Sequence, residues 1–186
     1  MKTITDIASV SQVLAFWFEE LTPAQWWRKD ETLDAGIAQR FGATLAAARA
    51  AELADWRDSA GGRLAEVIVL DQFSRNVYRD NARAFASDAL ALALAQEMVA
   101  GAHDTALPVA QRAFVYLPFM HSESLAIHAQ ALLLFDQPGL EDNLRFERLH
   151  QDILQRFGRY PHRNAALGRR STPEEEAFLQ QPGAGF

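Results

Sequence analysis

Apolar residues that recur three or four positions apart near the start of the chain restrict its fold more than any other feature. They are Val10, Val13, Leu14, Trp17 and Leu21. This spacing places them on one side of a helix. Ser9 and Gln12 stand three residues apart at its start, which is the capping-box pattern of two reciprocal side-chain bonds to backbone N–H groups. We therefore predict a first helix from about Ser9 to Glu20.

Similar patterns follow along the rest of the chain. Thr22 and Asp30 are residue types that cap helices, and Pro23 suits the first position of a helix. After the first helix we predict one that starts near Thr22, one from Asp30 to Leu53, and others over 63–78, 84–100, 107–117, 123–135, 140–157 and 172–181. Gly61–Gly62 and Pro138–Gly139 are predicted turns.

Two of these segments carry features that compete with a regular helix. The run 67–70 is rich in Val and Ile and would suit a buried strand. Its flanking residues continue the helical spacing on two sides, so a helix buried nearly all round is preferred. Pro118 is expected to end or kink the helix over 107–117. Ser122 is the predicted cap of the next helix.

The predicted fold is all-α, with about eight helices in antiparallel hairpins and no convincing strand. A superhelical array similar to tetratricopeptide repeats is compatible with this order, although no strict repeat period is found. The length of 186 residues fits a single domain over 1–186. Residues 182–186 are expected to form a loose tail.

Composition excludes several classes of protein. The absence of cysteine rules out disulfides, thiolate metal sites and a cysteine nucleophile. A net charge of −6 argues against broad nucleic-acid binding. Residues 1–6 lack the order of a signal peptide, and no apolar stretch is long enough to cross a bilayer. We expect a cytoplasmic location, no membrane association, no cofactor and no metal site, and a homodimer is left open.

A basic segment near the C-terminus gives the most specific indication of a site. It contains Arg156, Arg159, His162, Arg163, Arg169 and Arg170, with no acidic residue between the first and the last of them. Guanidinium groups match the geometry of carboxylates and phosphates. Arg159, Arg163 and Asn164 are therefore predicted to bind a small anionic ligand, with His162 as a proton-transfer group. The alternative is that these arginines pair with acidic residues of the chain itself.

Two further candidate groups lie earlier in the chain. Asp71 and Arg75 are four residues apart, the favourable order for a helical ion pair, and are predicted either to bind the ligand or to form a buried structural pair. His121 and Glu123 follow Pro118 and are predicted to act as acid and base, or else to be ordinary residues at a helix start.

The remaining polar and aromatic candidates are weaker. His128 and His150 lie on apolar sides of helices, where a histidine is most often a core residue with its hydrogen bonds satisfied. Trp26 and Trp27 are expected in the core, with Trp27 as an alternative wall of the ligand pocket. Ser74 has no partner base in the sequence and is not predicted to be a nucleophile.

Four stretches of the sequence resemble a bacterial family catalogued as domain of unknown function 924. They are Val13–Phe18, Leu70–Arg79, Tyr116–Glu123 and Arg156–Asn164, with Leu167–Arg169 and Ser171–Thr172 following. The family pattern commonly has Pro where this chain has Ser74, which is a further argument against a serine nucleophile. The resemblance implies an all-helical fold akin to tetratricopeptide-like superhelices, and it implies no established activity.

Two functions are compatible with these residues. The first is a pocket that binds a small anionic metabolite through the arginines, with His121, Glu123 or His162 transferring a proton. It requires these side chains to meet in one place. The second is a non-catalytic helical-repeat module whose arginines grip an acidic peptide or protein partner. Whether the protein is an enzyme is left open.

Overall fold

The computed structural model describes residues 7–183, and within that range every regular element is a helix. The α-helices are α1 Val10–Ala15, α2 Pro23–Trp26, α3 Glu31–Arg49, α4 Ala60–Ile68, α5 Ser74–Val77, α6 Asp88–Ala100, α7 Val109–Met120, α8 Leu125–Phe135, α9 Glu141–Phe157 and α10 Pro173–Leu179. The all-α prediction is confirmed. The repeat-like superhelix and the single domain stay predictions. Residues 184–186 of the expected tail, and the N-terminal residues 1–6, lie outside the described range.

Wider and tighter turns interrupt or connect the α-helices. π-helical turns at Phe16–Glu20 and Val69–Phe73 extend α1 and join α4 to α5. The predicted helix over 63–78 is therefore helical throughout its β-favouring run, with a π-turn in its middle. Short 3-10 turns lie at Ala54–Asp58, Ala82–Ala84, His103–Ala106 and Pro161–Arg163.

Four predicted helix starts are confirmed by their caps. The capping boxes at Ser9, Thr22 and Thr172 all form. The Asp30 carboxylate accepts hydrogen bonds from two N–H groups in the first turn of α3. Gly158 ends α9 with a φ of 70°, a conformation that glycine adopts without strain.

Several predicted boundaries and turns are wrong. Helix α3 ends at Arg49 and not at Leu53, because Ala51 takes a left-handed φ of 56° and the N–H groups of residues 51 and 52 turn back onto the carbonyls of residues 48 and 47. These two bonds form a Schellman motif, which usually has glycine in the left-handed position. The sequence therefore carries no stop signal at this point.

Three further differences concern a glycine pair, a proline and a helix cap. Gly61–Gly62 is not a turn but part of α4, whose start is capped by the Ser59 hydroxyl. Helix α7 continues through Pro118 to its end, since the residues around this proline are buried and their packing outweighs one missing backbone bond. Helix α8 is preceded by Ser124 as its N-cap and not by Ser122.

An aromatic core joins the N-terminal helices to α7. The rings of Phe16, Trp17, Phe41, Phe73 and Phe114 lie against one another with centroid separations of 4.9 to 6.0 Å. Both π-turns contribute to this contact, so the core fixes the segment Val69–Phe73 relative to α7. No helix within the described part of the chain is long and apolar enough to cross a membrane.

Candidate functional site

The π-turn Val69–Phe73 brings a buried carboxylate to the end of α7. Asp71 is 1% exposed, and its Oδ1 lies 2.8 Å from Nδ1 of His121 and 2.9 Å from Nη1 of Arg75. Gln72 donates from its side-chain amide to the other carboxylate oxygen at 2.6 Å. The predicted residues Asp71, Arg75 and His121 therefore form one cluster.

Asp88 links this cluster to the basic C-terminal segment. Its carboxylate accepts two hydrogen bonds from Arg75, both at 3.1 Å, and one from Nη1 of Arg163 at 3.2 Å. Arg163 also donates from Nη2 to the main-chain carbonyl of His121 at 2.9 Å. The ring of Phe85 lies against both guanidinium groups. Segments far apart in sequence thus meet around Asp71, Arg75, Asp88 and Arg163. We call these four residues, together with His121, the Asp71 cluster.

Asp88 is the member of the Asp71 cluster that the sequence did not point to. The predicted helix over 84–100 placed it inside a helix, where one aspartate has no special meaning. In the structure it is the first residue of α6, just after the 3-10 turn Ala82–Ala84. The sequence does not show that α6 begins only at Asp88, and for this reason Asp88 is not among the predicted site residues.

The protonation states within the Asp71 cluster follow from burial and neighbouring charges. Burial would raise the pKa of Asp71, but the charge of Arg75 and the contact with His121 outweigh it and hold this pKa well below its ordinary value. Burial and the positive charge of Arg75 lower the pKa of His121. At neutral pH Asp71 is therefore ionised and His121 is neutral.

His162 lies close enough to sense the same charges. Burial first, and then the charge of Arg163, lower the pKa of His162 to about 4. Its ring is 5.4 Å from that of Tyr160, measured between centroids. The charge of His121 also lowers the pKa of His162. The acid–base role of these two histidines stays a prediction.

The other predicted polar residues form a separate set of pairs beside the cluster. Glu123 accepts two hydrogen bonds from Arg169, at 2.7 and 2.9 Å, and one from the N–H of Tyr160 at 2.7 Å. Burial alone would raise the pKa of Glu123, but these bonds hold it below its ordinary value. These hydrogen bonds keep Glu123 ionised at neutral pH.

Arg159 and Asn164 serve the same C-terminal set of pairs. Arg159 makes a two-pronged ion pair with Glu175, at 2.7 and 2.8 Å. Asn164 accepts from Arg169 and donates to Ser171. Arg159 and Arg169 therefore pair with acidic residues of the chain itself, which is the alternative stated for the basic segment.

Trp27 lies at the surface of the molecule. It is 59% exposed and stacks on Phe114 with an interplanar angle of 5° and a centroid distance of 5.9 Å. Trp26 packs against the core and donates its indole N–H to the carbonyl of Trp17. The prediction of a core position is therefore right for Trp26 and wrong for Trp27.

A second buried polar group lies behind the Asp71 cluster. His128 and Glu147 are both 0% exposed, and Nδ1 of His128 lies 2.5 Å from Oε1 of Glu147. Tyr160 completes this group, with its hydroxyl 3.1 Å from Nε2 of His128. His150 is also buried and donates from Nδ1 to the carbonyl of Phe146. The core environment expected for both histidines is what the structure shows, but the carboxylate partner of His128 was not anticipated.

One surface depression lies elsewhere on the molecule. Its volume is about 350 Å³, and Phe16, Gln25, Asp30, Thr32, Leu33, Gly36 and Arg40 line it. None of the predicted site residues belongs to it. Over residues 7–183, no three His, Asp or Glu side chains are grouped so that they could hold a metal ion.

The fold and site define a class of all-helical protein in which a buried charge cluster joins an internal π-turn, the end of a proline-containing helix and a basic C-terminal loop. The chain belongs to a family described as bacterial protein of unknown function (DUF924), whose model matches residues 13–183. The resemblance drawn from the sequence is thereby confirmed.

A solved structure shares this fold. It is that of a protein of unknown function from Agrobacterium tumefaciens, with 38% sequence identity and a TM-score of 0.87, covering 92% of this chain and 96% of that chain. None of the curated proteins matches the chain.

Proposed function

We propose that the Asp71 cluster is an acid–base site for a small anionic ligand, with His121 as the general base. The observation that carries this proposal is the contact of 2.8 Å between Oδ1 of Asp71 and Nδ1 of His121. An ionised carboxylate only accepts hydrogen bonds, so Nδ1 carries the proton. In a neutral imidazole this leaves the lone pair on Nε2, which is the form that a general base needs.

The position of His121 supports this role. Its side chain is 16% exposed, and Nε2 makes no hydrogen bond to any residue between 7 and 183. A buried carboxylate that orients an imidazole through Nδ1 is also the arrangement by which catalytic histidines are held in the correct tautomer. Asp71 would therefore orient the base, and His162 would be the second imidazole available for proton transfer.

The arginines limit how an anion could be held. Arg75 and Arg163 are balanced by Asp71 and Asp88, so the cluster carries no net charge. Nε of Arg163 is buried and has no acceptor among the described residues. A buried N–H without an acceptor is costly, and an oxygen of a bound anion would satisfy it. This donor supports an anionic ligand that contacts one edge of the cluster.

The alternative module for an acidic partner receives less support. It requires several guanidinium groups that are free of intramolecular partners. Arg156, Arg159 and Arg169 instead pair with Glu174, Glu175 and Glu123. Glu123, tied by Arg169, is likewise a structural partner in our proposal and not the acid or base.

A thermal-shift screen tests ligand binding directly. The probes are inorganic phosphate, acetate, succinate and phosphoserine, added to the native chain and to the variant His121→Gln. A ligand that binds only the folded state, at about a hundredfold above its Kd, adds about 2.7 kcal/mol to the free energy of unfolding. We expect at least one probe to raise the Tm of the native chain and to have little effect on His121→Gln.

The matched control is His103→Gln, which changes an exposed histidine in the 3-10 turn before α7. This variant should keep the full response to the same probe. If no probe raises the Tm, or if His121→Gln responds as strongly as the native chain, the proposal of an anion site at His121 is wrong.

A further inference from the structure

We infer that Glu147, His128 and Tyr160 are positioning residues for His121. They hold the main-chain carbonyls on either side of His121, so that its imidazole stays against Asp71. This inference rests on the function proposed above, because it assigns these residues to the geometry of the same base.

Two hydrogen bonds from buried side chains reach the carbonyls that flank His121. The hydroxyl of Tyr160 donates to the carbonyl of Met120 at 2.6 Å. Nε2 of His128 lies 2.8 Å from the carbonyl of Ser122, which only accepts. His128 must therefore carry a proton on Nε2.

These bonds replace contacts that a helix end lacks. The last four carbonyls of a helix have no intrahelical partner, and α7 ends at Met120. The carbonyls of Met120, His121 and Ser122 are each held by a different side chain, since Arg163 donates to the middle one. Three successive peptide units around the proposed base are fixed in this way.

Glu147 sets the proton arrangement of His128. Oε2 of Glu147 is buried without a partner among the described residues, and burial raises the pKa of this carboxyl. Both observations favour the protonated acid. Glu147 then donates to Nδ1 of His128, and His128 donates from Nε2, so a single directed relay runs from α9 through α8 to the carbonyl of Ser122.

An apolar core would suffice if this region only had to be stable. Burying polar groups costs free energy unless every bond is made, and apolar residues of similar volume often stabilise a core as well or better. The relay from Glu147 and the hydroxyl of Tyr160 end on the two carbonyls that flank His121. We therefore assign them to placing that residue.

The experiment measures the tautomer of His121 by long-range ¹⁵N–¹H NMR in the full chain. In the native protein we expect the proton on Nδ1. The variant Glu147→Met removes the donor to His128 at similar volume, whereas Glu147→Gln keeps an N–H donor. We expect Glu147→Met to shift the population of His121 from the Nδ1–H towards the Nε2–H form, and Glu147→Gln to restore the native pattern.

A matched control separates this effect from general loss of stability. Glu66 is 1% exposed in α4 and pairs with Arg57, so Glu66→Met removes a buried carboxylate outside the relay. It should lower the Tm without changing the tautomer of His121. Tyr160→Phe deletes only the hydroxyl and tests the same inference if Glu147→Met fails to fold.

The outcomes distinguish the two proposals. A native His121 with its proton on Nε2 would overturn the proposed function. A native Nδ1–H form that stays unchanged in both Glu147→Met and Tyr160→Phe, or one that shifts equally in Glu66→Met, would overturn the positioning role alone.

Discussion

Two guanidinium groups lie in the interior because two carboxylates lie against them. Arg75 and Arg163 share Asp88, and Arg75 also contacts Asp71. Removing one partner from such a set leaves a buried charge uncompensated, which typically costs about 3–5 kcal/mol. Substitutions at these positions therefore report on folding as well as on function. The ligand test therefore replaces His121, whose neutral imidazole can be removed without leaving a buried charge unpaired.

Ser74 gives a prediction at the scale of one atom. Its hydroxyl is fully buried and has no partner among residues 7–183. Because an unsatisfied buried hydroxyl is costly, Ser74→Ala should raise the free energy of unfolding by up to about 1 kcal/mol, measured by urea denaturation. The comparison variant, Ser59→Ala, deletes a capping hydroxyl and should lower it by about 1 kcal/mol. A clear destabilisation by Ser74→Ala would show that the hydroxyl has a role.

Part of the site was accessible from sequence at this scale. The spacing of Asp71 and Arg75 predicts their ion pair, because residues four apart on a helix are neighbours. Nothing in the sequence relates Asp71 to His121, which is 50 residues away. The partners of His128 and Arg163 likewise depend on how the helices pack, and local patterns do not contain that information.

At the scale of elements, the sequence predicts the helix starts that a capping pattern marks, and it misses breaks that no residue type marks. Side-chain caps such as Asp30 are local and can be read from residue type. The end of α3 at a left-handed Ala51 carries no such mark. At the start of α8, Ser122 and Ser124 are both of a capping residue type, and Ser124 is the N-cap without making a side-chain cap bond. Paired glycines usually form a turn, and Gly61–Gly62 is predicted as one for that reason. In the structure both lie inside α4, where Gly62 packs closely against the backbone of Trp56.

The two glycines of α4 provide a matched test. A Cβ at Gly62 would lie 1.9 Å from the carbonyl oxygen of Trp56, whereas one at Gly61 would meet only a methyl group of Leu14 at 3.5 Å. Gly62→Ala should therefore lower the free energy of unfolding by about 1–3 kcal/mol. Gly61→Ala should raise it by up to about 1 kcal/mol, because alanine favours a helix.

Thermal or urea unfolding of both variants decides this test. Equal effects of the two substitutions would contradict the close approach of α4 to the 3-10 turn Ala54–Asp58.

At the scale of the whole molecule, buried histidines couple stability to pH. Burial lowers the pKa of His150 to about 3 and that of His162 to about 4, below the ordinary value of 6.5. Between these values the unfolded chain binds more protons than the folded chain, so stability decreases as the pH falls. We expect the free energy of unfolding to drop by about 1–2 kcal/mol per histidine between about pH 7 and about pH 5.

Urea denaturation across this pH range measures the effect. His162→Asn should flatten the dependence, because it removes one of the groups that resist protonation. His103→Asn, at an exposed position, should leave the dependence as it is in the native chain. If His162→Asn shows the native dependence as well, burial does not lower the proton affinity of His162 in the folded state.

The π-turn Val69–Phe73 has a consequence for how this chain can vary in length. A π-turn holds one residue more than an α-turn, and each residue of an α-helix advances the side chains by about 100°. Losing a single residue here would close the wide turn to ordinary α geometry and leave α4 and α5 in nearly the same orientation, because the π-turn absorbs its extra residue within one turn. The side chains of the turn itself, including Asp71, would then move around the helix axis and away from their partners. Descendants of this chain can exchange side chains in the segment more freely than they can shorten it.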